Sequence, residues 1–319
     1  MIRLSIGTAV LLGMQKSLVQ EPPTTAYIMS GQGCTNNCSF CAQAKTSSGA
    51  AGLLSRVTWP EFSLEETARS IAAAYEQGDL QRACIQVVSC AQGIQMLYKT
   101  LDAIKKAAPQ LPVSVSAALT DIHDLNQVFE RGADAVNISL DGASRRIFES
   151  TKGKSWEKAW CLLMKAAKAH PNRIRTHIIS GMGESEKDIV ETIQKCSDLE
   201  IGVGLFAFTP VKGTALEANP QPSLHSYRRL QAANYLITNG YSRSGHFSYQ
   251  TNGSIKDFGI SPVTLEYILH NGKAFETSGC RGCNRPFYNE SPRQLPYNYP
   301  RPLTREESDQ AIREVLTKD

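Results

Sequence analysis

Three cysteines stand close together in the run Gly33-Cys34-Thr35-Asn36-Asn37-Cys38-Ser39-Phe40-Cys41. Three thiolates on one short loop can hold three irons of a cubane cluster, since soft thiolates suit iron–sulfur chemistry. The fourth iron then has no protein ligand and stays open to a small molecule. A zinc knuckle is the plainer alternative, but zinc loops usually bring a matched second pair of cysteines or histidines. A second set is dispersed along the chain, with Cys84 and Cys90 in one segment and Cys280-Arg281-Gly282-Cys283 near the end. Two pairs make four thiolates, enough for a second cluster. If Ile85–Ser89 stays extended, Cys84 and Cys90 share a strand face roughly 20 Å apart, at about 3.3 Å per residue. The exit loop must fold back for both to reach one cluster, and Cys90, beyond the strand, reaches it more easily. The remaining cysteines, Cys161 and Cys196, lie in helical segments and read as small buried residues.

These side chains need a scaffold, and the hydrophobic pattern supplies one. Strand-like runs at Thr25–Ser30, Cys84–Ser89, Leu111–Ala117, Asp134–Leu140, Ile174–Ser180 and Val203–Phe208 alternate with helical segments. The helical segments are Ser63–Gln77, Ile94–Ala108, Asp121–Arg131, Ala143 to about His170, Ser185–Leu199 and Ser223–Asn239. Alternation of this kind implies a parallel sheet with right-handed crossovers. With weaker strand signals at Arg243–Ser248 and Gly253–Phe258, it predicts an α/β fold, a TIM-like β/α barrel, complete or nearly complete. The expected organisation is an N-terminal helical or irregular segment (1–24), the barrel (25–275) and a cysteine-containing C-terminal extension (276–319) over one mouth. Ser63 with Glu66, and Thr304 with Glu307, have capping-box spacing. Cys34 follows the first strand directly, which places its loop at the C-terminal mouth, where barrel catalysis sits.

Composition narrows the functional classes. The chain has 319 residues, 41% hydrophobic and 20% charged, which is enough to bury a core and argues against disorder. A net charge of +4 without a dense basic stripe does not suit nucleic acid. The longest apolar stretch, near Ile6–Met14, falls far short of a membrane span, and no signal peptide is read, so a cytoplasmic protein is expected. Nine cysteines, an odd number in a long chain, favour metal or redox use over a disulfide framework.

The spacing Cys34-x3-Cys38-x-Phe40-Cys41 after a first strand resembles the radical S-adenosylmethionine (SAM) superfamily. The resemblance implies a 4Fe–4S cluster on Cys34, Cys38 and Cys41 that binds SAM and cleaves it reductively to a 5′-deoxyadenosyl radical. It also carries over site residues. Asn137, Ser139 and Asp141 in Val136–Asp141 are similar to the Asn-x-Asn-x-Asp strand of biotin synthase, with Ser139 replacing an asparagine. Gly181, Gly183 and Glu184 are similar to the Gly-x-Gly-Glu turn of the same relatives, and Phe208–Thr214 to a loop near the SAM adenine. Biotin synthase uses an arginine after strand four for the SAM carboxylate. The stretch Ser155–Trp160 has none, and Lys158 offers only a point charge. Cys84 falls near a ligand position of the biotin synthase auxiliary cluster, whereas two other ligand positions are Ser116 and Arg175.

The flanking segments Ser5–Gly13, Thr24–Tyr27, Leu54–Pro60 and Gly282–Glu290 resemble one biotin synthase-like radical SAM family, whose members form half of a two-component lipoyl synthase. That implies sulfur insertion into an octanoyl chain on a lipoyl carrier protein, together with a second radical SAM component and reduced ferredoxin or flavodoxin. An auxiliary 4Fe–4S cluster on Cys84, Cys90, Cys280 and Cys283 would be the sulfur source. Conventional single-chain lipoyl synthase carries a cysteine motif before its SAM motif, and no cysteine precedes Cys34. Arg281, Arg285, Arg293 and Arg301 form a candidate docking rim for an acidic carrier. Biotin synthase itself, a related radical mutase and a zinc-stabilised binding protein are the competing readings.

Overall fold

The computed structural model describes residues 1–50, 52–290 and 293–317; Ala51, Ser291, Pro292, Lys318 and Asp319, four of them in the expected extension, lie outside the described residues. The strands, in chain order, are β1 (Ile2–Leu4), β2 (Thr25–Ser30), β3 (Leu53–Leu54), β4 (Val57–Thr58), β5 (Glu61–Phe62), β6 (Arg82–Val87), β7 (Val113–Ser116), β8 (Ala135–Asn137), β9 (Ile174–Ser180), β10 (Gly202–Ala207), β11 (Ser248–Tyr249) and β12 (Ile255–Asp257). The helices are α1 (Ile6–Leu11), α2 (Leu64–Glu76), α3 (Gly93–Ala107), α4 (Ile122–Glu130), α5 (Arg145–Lys152), α6 (Trp156–Ala169), α7 (Glu186–Asp198), α8 (Leu224–Thr238), α9 (Pro262–Leu269) and α10 (Arg305–Leu316). None of the described helices is long and apolar enough to cross a membrane.

The fold is α/β. The parallel strands β2, β6, β7, β8, β9 and β10 lie side by side in chain order, and antiparallel β1 and then β5 extend the edge at β2. Alternation along the strands sorts side chains between two faces. On the outer face, Ala26, Ile28, Ala83, Ile85, Val115, Val136, Ile178 and Leu205 are buried against Ile71, Leu97, Leu101, Val128, Leu163, Ile189 and Leu230 of the helices. The inner face carries Tyr27, Cys84, Gln86, Ser114, Ser116, Arg175, His177, Gly204 and Phe206 around a cavity. The outer face is the stabilising core and the inner face is chemistry.

Three elements differ from the sequence reading. β1 is a strand where a helical or irregular segment was expected; its three residues are too few to show a period. The stretch after Ala143 divides into α5 and α6, because Gly153 adopts the left-handed conformation and Ser155 starts a new helix by capping Lys158 N. The weaker strand signals form the separate hairpin β11–β12, not barrel staves. The Thr304–Glu307 capping box forms in full, whereas Ser63 accepts from Glu66 N and turns its hydroxyl hydrogen to Glu65.

Among the described residues the sheet does not close by strand pairing, and the C-terminal extension occupies the gap. Ser278 Oγ accepts from Leu205 N at 2.9 Å on the free edge of β10. On the other side, Thr24 N donates to Asn284 Oδ1 and Thr24 Oγ1 to Gly282 O, just before β2. Higher up, Asn289 Nδ2 donates to Ala207 O at 2.7 Å and Ser55 Oγ to Tyr288 O at 2.7 Å. The extension thus runs along the seam from the N-terminal to the C-terminal strand ends. Its far part is anchored by Arg228, 1% exposed, which pairs with Glu314 and donates to Tyr297 O and Pro296 O.

Candidate active site

At the C-terminal mouth, irregular backbone after β2 carries Cys34, Cys38 and Cys41. The loop after β6, helix α5 and a turn within the segment itself pin it. Thr35 N donates to Ser89 O at 2.7 Å, Ser39 N to Thr151 O at 2.8 Å and Cys41 N to Cys38 O at 3.1 Å. Burial raises the Cys38 thiol and pushes Cys41 up to about 12, with the neighbouring cysteines adding to the effect on both. Phe40 packs on Ile147, Met182 and Phe208, tying the loop to α5 and to the turns after β9 and β10.

Asp141 lies just beyond β8 with φ 62, a left-handed conformation unusual for aspartate. Its N–H donates to His177 O, and its carbonyl accepts from Ile179 N, both at 2.8 Å, so β9 holds the peptide on two sides. Lys152 Nζ donates to Asp141 Oδ2 and to Ser139 O, each at 2.6 Å. Below it, Asn137 Nδ2 meets Ser116 Oγ at 3.0 Å and His177 Nδ1 at 3.3 Å, and Ser139 Oγ also reaches His177. Burial drives the His177 pKa down to about 4, so the ring is neutral. Asn137 Oδ1 is buried with no partner among the described residues.

Gly181, Gly183 and Glu184 do something else. The Glu184 carboxylate accepts from Ala143 N at 3.2 Å and Met182 N at 3.1 Å, bracing the turns after β8 and β9. None of the three lines the central or mouth cavity.

Cys84 faces inward from β6, and the extension brings Cys280 and Cys283 to it at the N-terminal strand ends. Their approach is a packing matter. A side chain at Gly279 (φ 110) would crowd the Gly204 backbone, and one at Gly282 (φ 76) would overlap Gln81. Burial, then the neighbouring Cys280 and Cys283, push the Cys84 thiol up to about 12; burial also raises Cys280. Arg82, 4% exposed, donates to Arg281 O at 2.9 Å and pairs with Asp134 at 3.2 Å. Burial works against its charge, while Cys280, Asp134, Cys84 and Cys283 more than offset that.

The structure separates Cys90 from this trio. It follows the end of β6, abuts Gly31 and lines a different cavity with Arg3, Gln32 and Glu61. The expectation that Cys90 reaches a cluster more easily than Cys84 is reversed, because the backbone does not fold back and the extension comes to Cys84 instead. Ser116 and Arg175 line the same cavity as Cys84. The expected docking rim is also altered. Arg285 lies in the cavity with its guanidinium 3.7 Å over the Phe206 ring, and Arg301 pairs with Glu21 and Glu307.

One cavity of about 230 Å³ joins the two cysteine sets. Cys41, Phe40 and Asp141 border it at the mouth, and Cys84, Cys280 and Cys283 at the far end. Tyr27, Leu54, Phe206, Phe208 and Tyr288 make much of its wall apolar. An outer space of about 590 Å³ continues from Phe40, Cys41 and Asp141 past Cys34 and Cys38 to Lys152, Lys154 and Lys158. Sequence reasoning missed Lys152, whose signal is a lysine in the last turn of the helix after Asp141, and Arg82, two residues from Cys84 on the same strand face.

The residues suit iron–sulfur groups. Among the described residues no three Cys, His, Asp or Glu side chains converge on a single metal ion. A cubane binds each thiolate to a separate iron and so takes thiols spread around it. At the far end, Arg82 Nε and Arg175 Nε are buried without partners among the described residues, a cationic setting that suits an anionic guest.

The profile of the radical SAM superfamily matches residues 28–196. A biotin synthase of Sulfurihydrogenibium sp. (strain YO3AOP1) is 29% identical over 189 residues, 57% of this chain and 54% of that protein. One of Leptospira biflexa serovar Patoc is 26% identical over 227 residues, 68% of this chain and 62% of that protein. The chain spans about half the length of the first curated relatives it matches. Among solved structures, methylornithine synthase aligns with a TM-score of 0.53 at 16% identity, over 67% of this chain and 62% of that one. The FeFe-hydrogenase maturase from Carboxydothermus hydrogenoformans gives the same TM-score at 16% identity, over 68% and 52%. These structural likenesses speak to the fold.

Proposed function

The chain belongs to the radical SAM superfamily, and from that premise we propose that it is a sulfur-inserting enzyme acting as one component of a two-protein lipoyl synthase. Its substrate is an octanoyl chain on a lipoyl carrier protein, its co-worker a second radical SAM component, and its reductant ferredoxin or flavodoxin in the cytoplasm. The carrying observation is the convergence of Cys84, Cys280 and Cys283 at the far end of the cavity that Cys41 and Phe40 border at the mouth. When bound, a 4Fe–4S cluster with SAM supplies a 5′-deoxyadenosyl radical for hydrogen abstraction, and an auxiliary cluster supplies sulfur.

The residues divide the labour. Cys34, Cys38 and Cys41 hold the first cluster and leave one iron for SAM. Asp141, fixed by Lys152, presents a carboxylate acceptor for the SAM ribose hydroxyls. Asn137 and Ser139 stand beside it on the His177 network. Cys84, Cys280 and Cys283 hold the second cluster, with Arg82 and Arg175 balancing its charge. The apolar wall from Phe40 to Tyr288 suits an aliphatic chain better than a polar ring and excludes water from a reactive carbon.

The test is anaerobic reconstitution followed by iron and sulfide analysis. About eight irons per chain support two cubanes, and about four remove the second. The loaded protein is then given SAM, a reductant, an octanoylated lipoyl carrier domain and the partner component. A thiolated carrier peptide supports the proposal. The identities to biotin synthases favour one second reading, biotin synthase itself. Conversion of dethiobiotin with no thiolated carrier would establish it instead.

A further inference from the structure

Tyr27 lies on the inner face of β2, opposite Cys84 in the strand register, and is 1% exposed. Its hydroxyl has two neighbours. The backbone N of Arg285 lies 2.7 Å away, and Cys283 Sγ lies 3.3 Å away. A backbone N–H can only donate, so it occupies a lone pair of Tyr27 Oη. The single phenolic hydrogen is then left for the sulfur. Packing holds the ring in place: Tyr288 stands against it with centroids 5.3 Å apart at 50°. One hydroxyl thus bridges the backbone just past the cysteine knuckle and one of its sulfurs.

We propose that Tyr27 is a positioning residue of the second cluster site, whose hydroxyl donates a hydrogen bond to the Cys283 sulfur, fixes that ligand against β2 and raises the reduction potential of the cluster held there. The inference rests on Cys283 being a cluster ligand, as in the proposed function. A donor aimed at a ligand sulfur draws electron density from it and favours the reduced, more negative state. The cysteine spacing does not point to this residue, and the resemblance of Thr24–Tyr27 gives it no role.

The experiment uses the full chain loaded with iron and sulfide, as wild type, Tyr27→Phe and a chain with fluorotyrosine at 27. Phenylalanine keeps the ring and deletes the donor. Fluorination acidifies the phenol and strengthens the donor with little change of size, so this arm decides alone where Tyr27→Phe does not fold. Potentials are read by redox titration with electron paramagnetic resonance. The second-cluster potential is expected to fall with phenylalanine and rise with fluorotyrosine, while the SAM-cluster potential stays put. Tyr98→Phe is the control, because Tyr98 on α3 stacks under Arg131 and lines neither the central nor the mouth cavity; it should move neither potential. Equal second-cluster potentials with phenylalanine, tyrosine and fluorotyrosine overturn the proposal and leave the second cluster standing. A wild-type chain that loads only about four irons overturns the second cluster and this inference together.

Discussion

Lys152 Nζ sits 2.6 Å from Asp141 Oδ2, and the two side chains are 11% and 13% exposed. The pair spans eleven residues of sequence and joins the last turn of α5 to the strained residue after β8. Lys152 also donates to Ser139 O, so the ammonium fixes both the backbone and the carboxylate of the strand end. Lys152 thus acts as a compact charge on a flexible stem.

Substituting Lys152→Met should therefore weaken SAM binding. Losing a charged hydrogen bond costs about 1.5–3 kcal/mol, roughly a 10- to 150-fold rise in Kd. Lys152→Arg should recover only part of it, since the planar fork does not fit a point-charge site. Calorimetric titration of SAM into the cluster-loaded chain measures both. Unchanged affinity in Lys152→Met would detach this pair from the SAM site.

The cysteines should separate into three behaviours. Cys38→Ala should abolish 5′-deoxyadenosine formation. Cys283→Ala should lose about half the iron, retain SAM cleavage and stop thiolation. Cys90→Ala should load and react as wild type, because Cys90 faces Gly31 and not the trio. Chromatographic 5′-deoxyadenosine assay and mass spectrometry of the carrier peptide read the three. Iron loss in Cys90→Ala would restore it as a ligand.

Much of this was legible in the chain. The strand–helix alternation and the Cys34–Cys38–Cys41 spacing are local signals, and a parallel fold turns them into a site at a known end of the sheet. Cys84 was legible only as a candidate, because its partners arrive nearly two hundred residues later along a seam that no local pattern encodes. Cys90 misled for the same reason: strand spacing measures reach along one segment and says nothing of what approaches from outside. Arg285 read as a surface charge and proves to be a cavity wall stacked on Phe206. His177 sits in an ordinary strand pattern, and only the register with Gly204 makes room for its ring.

His177 should make stability depend on pH. Its pKa lies near 4 in the folded chain, below the ordinary 6.5, with burial the main cause. Between those values the unfolded chain takes up a proton that the folded chain refuses, so stability present above pH 6.5 is lost as pH falls toward 4. From pH 7.5 to pH 5 the loss amounts to about 2 kcal/mol. His177→Asn removes the titration. The gap in unfolding free energy between wild type and His177→Asn should shift by that amount over the range, read by denaturant unfolding at each pH. A constant gap would mean the ring is not held neutral.

Glu290 should act in the opposite sense. It is 3% exposed and accepts from Tyr297 N, and burial pushes its pKa up to about 7 from 4.5. The folded chain keeps a proton that the unfolded chain releases above pH 4.5, so stability falls as pH rises through this window. The place matters, because the preceding Asn289 latches the extension to Ala207 and Thr209 at the cavity mouth. Charging Glu290 therefore works against the segment that closes the seam and delivers Cys283. Glu290→Gln keeps an acceptor for Tyr297 N without the charge, and should raise the Tm at pH 8 more than at pH 5. In wild type, hydrogen exchange in residues 286–290 should speed up between pH 6 and pH 8 beyond the intrinsic rise, and Glu290→Gln should flatten that excess. An equal Tm change at both pH values would show that Glu290 is already ionised in the folded chain and that the latch does not sense pH.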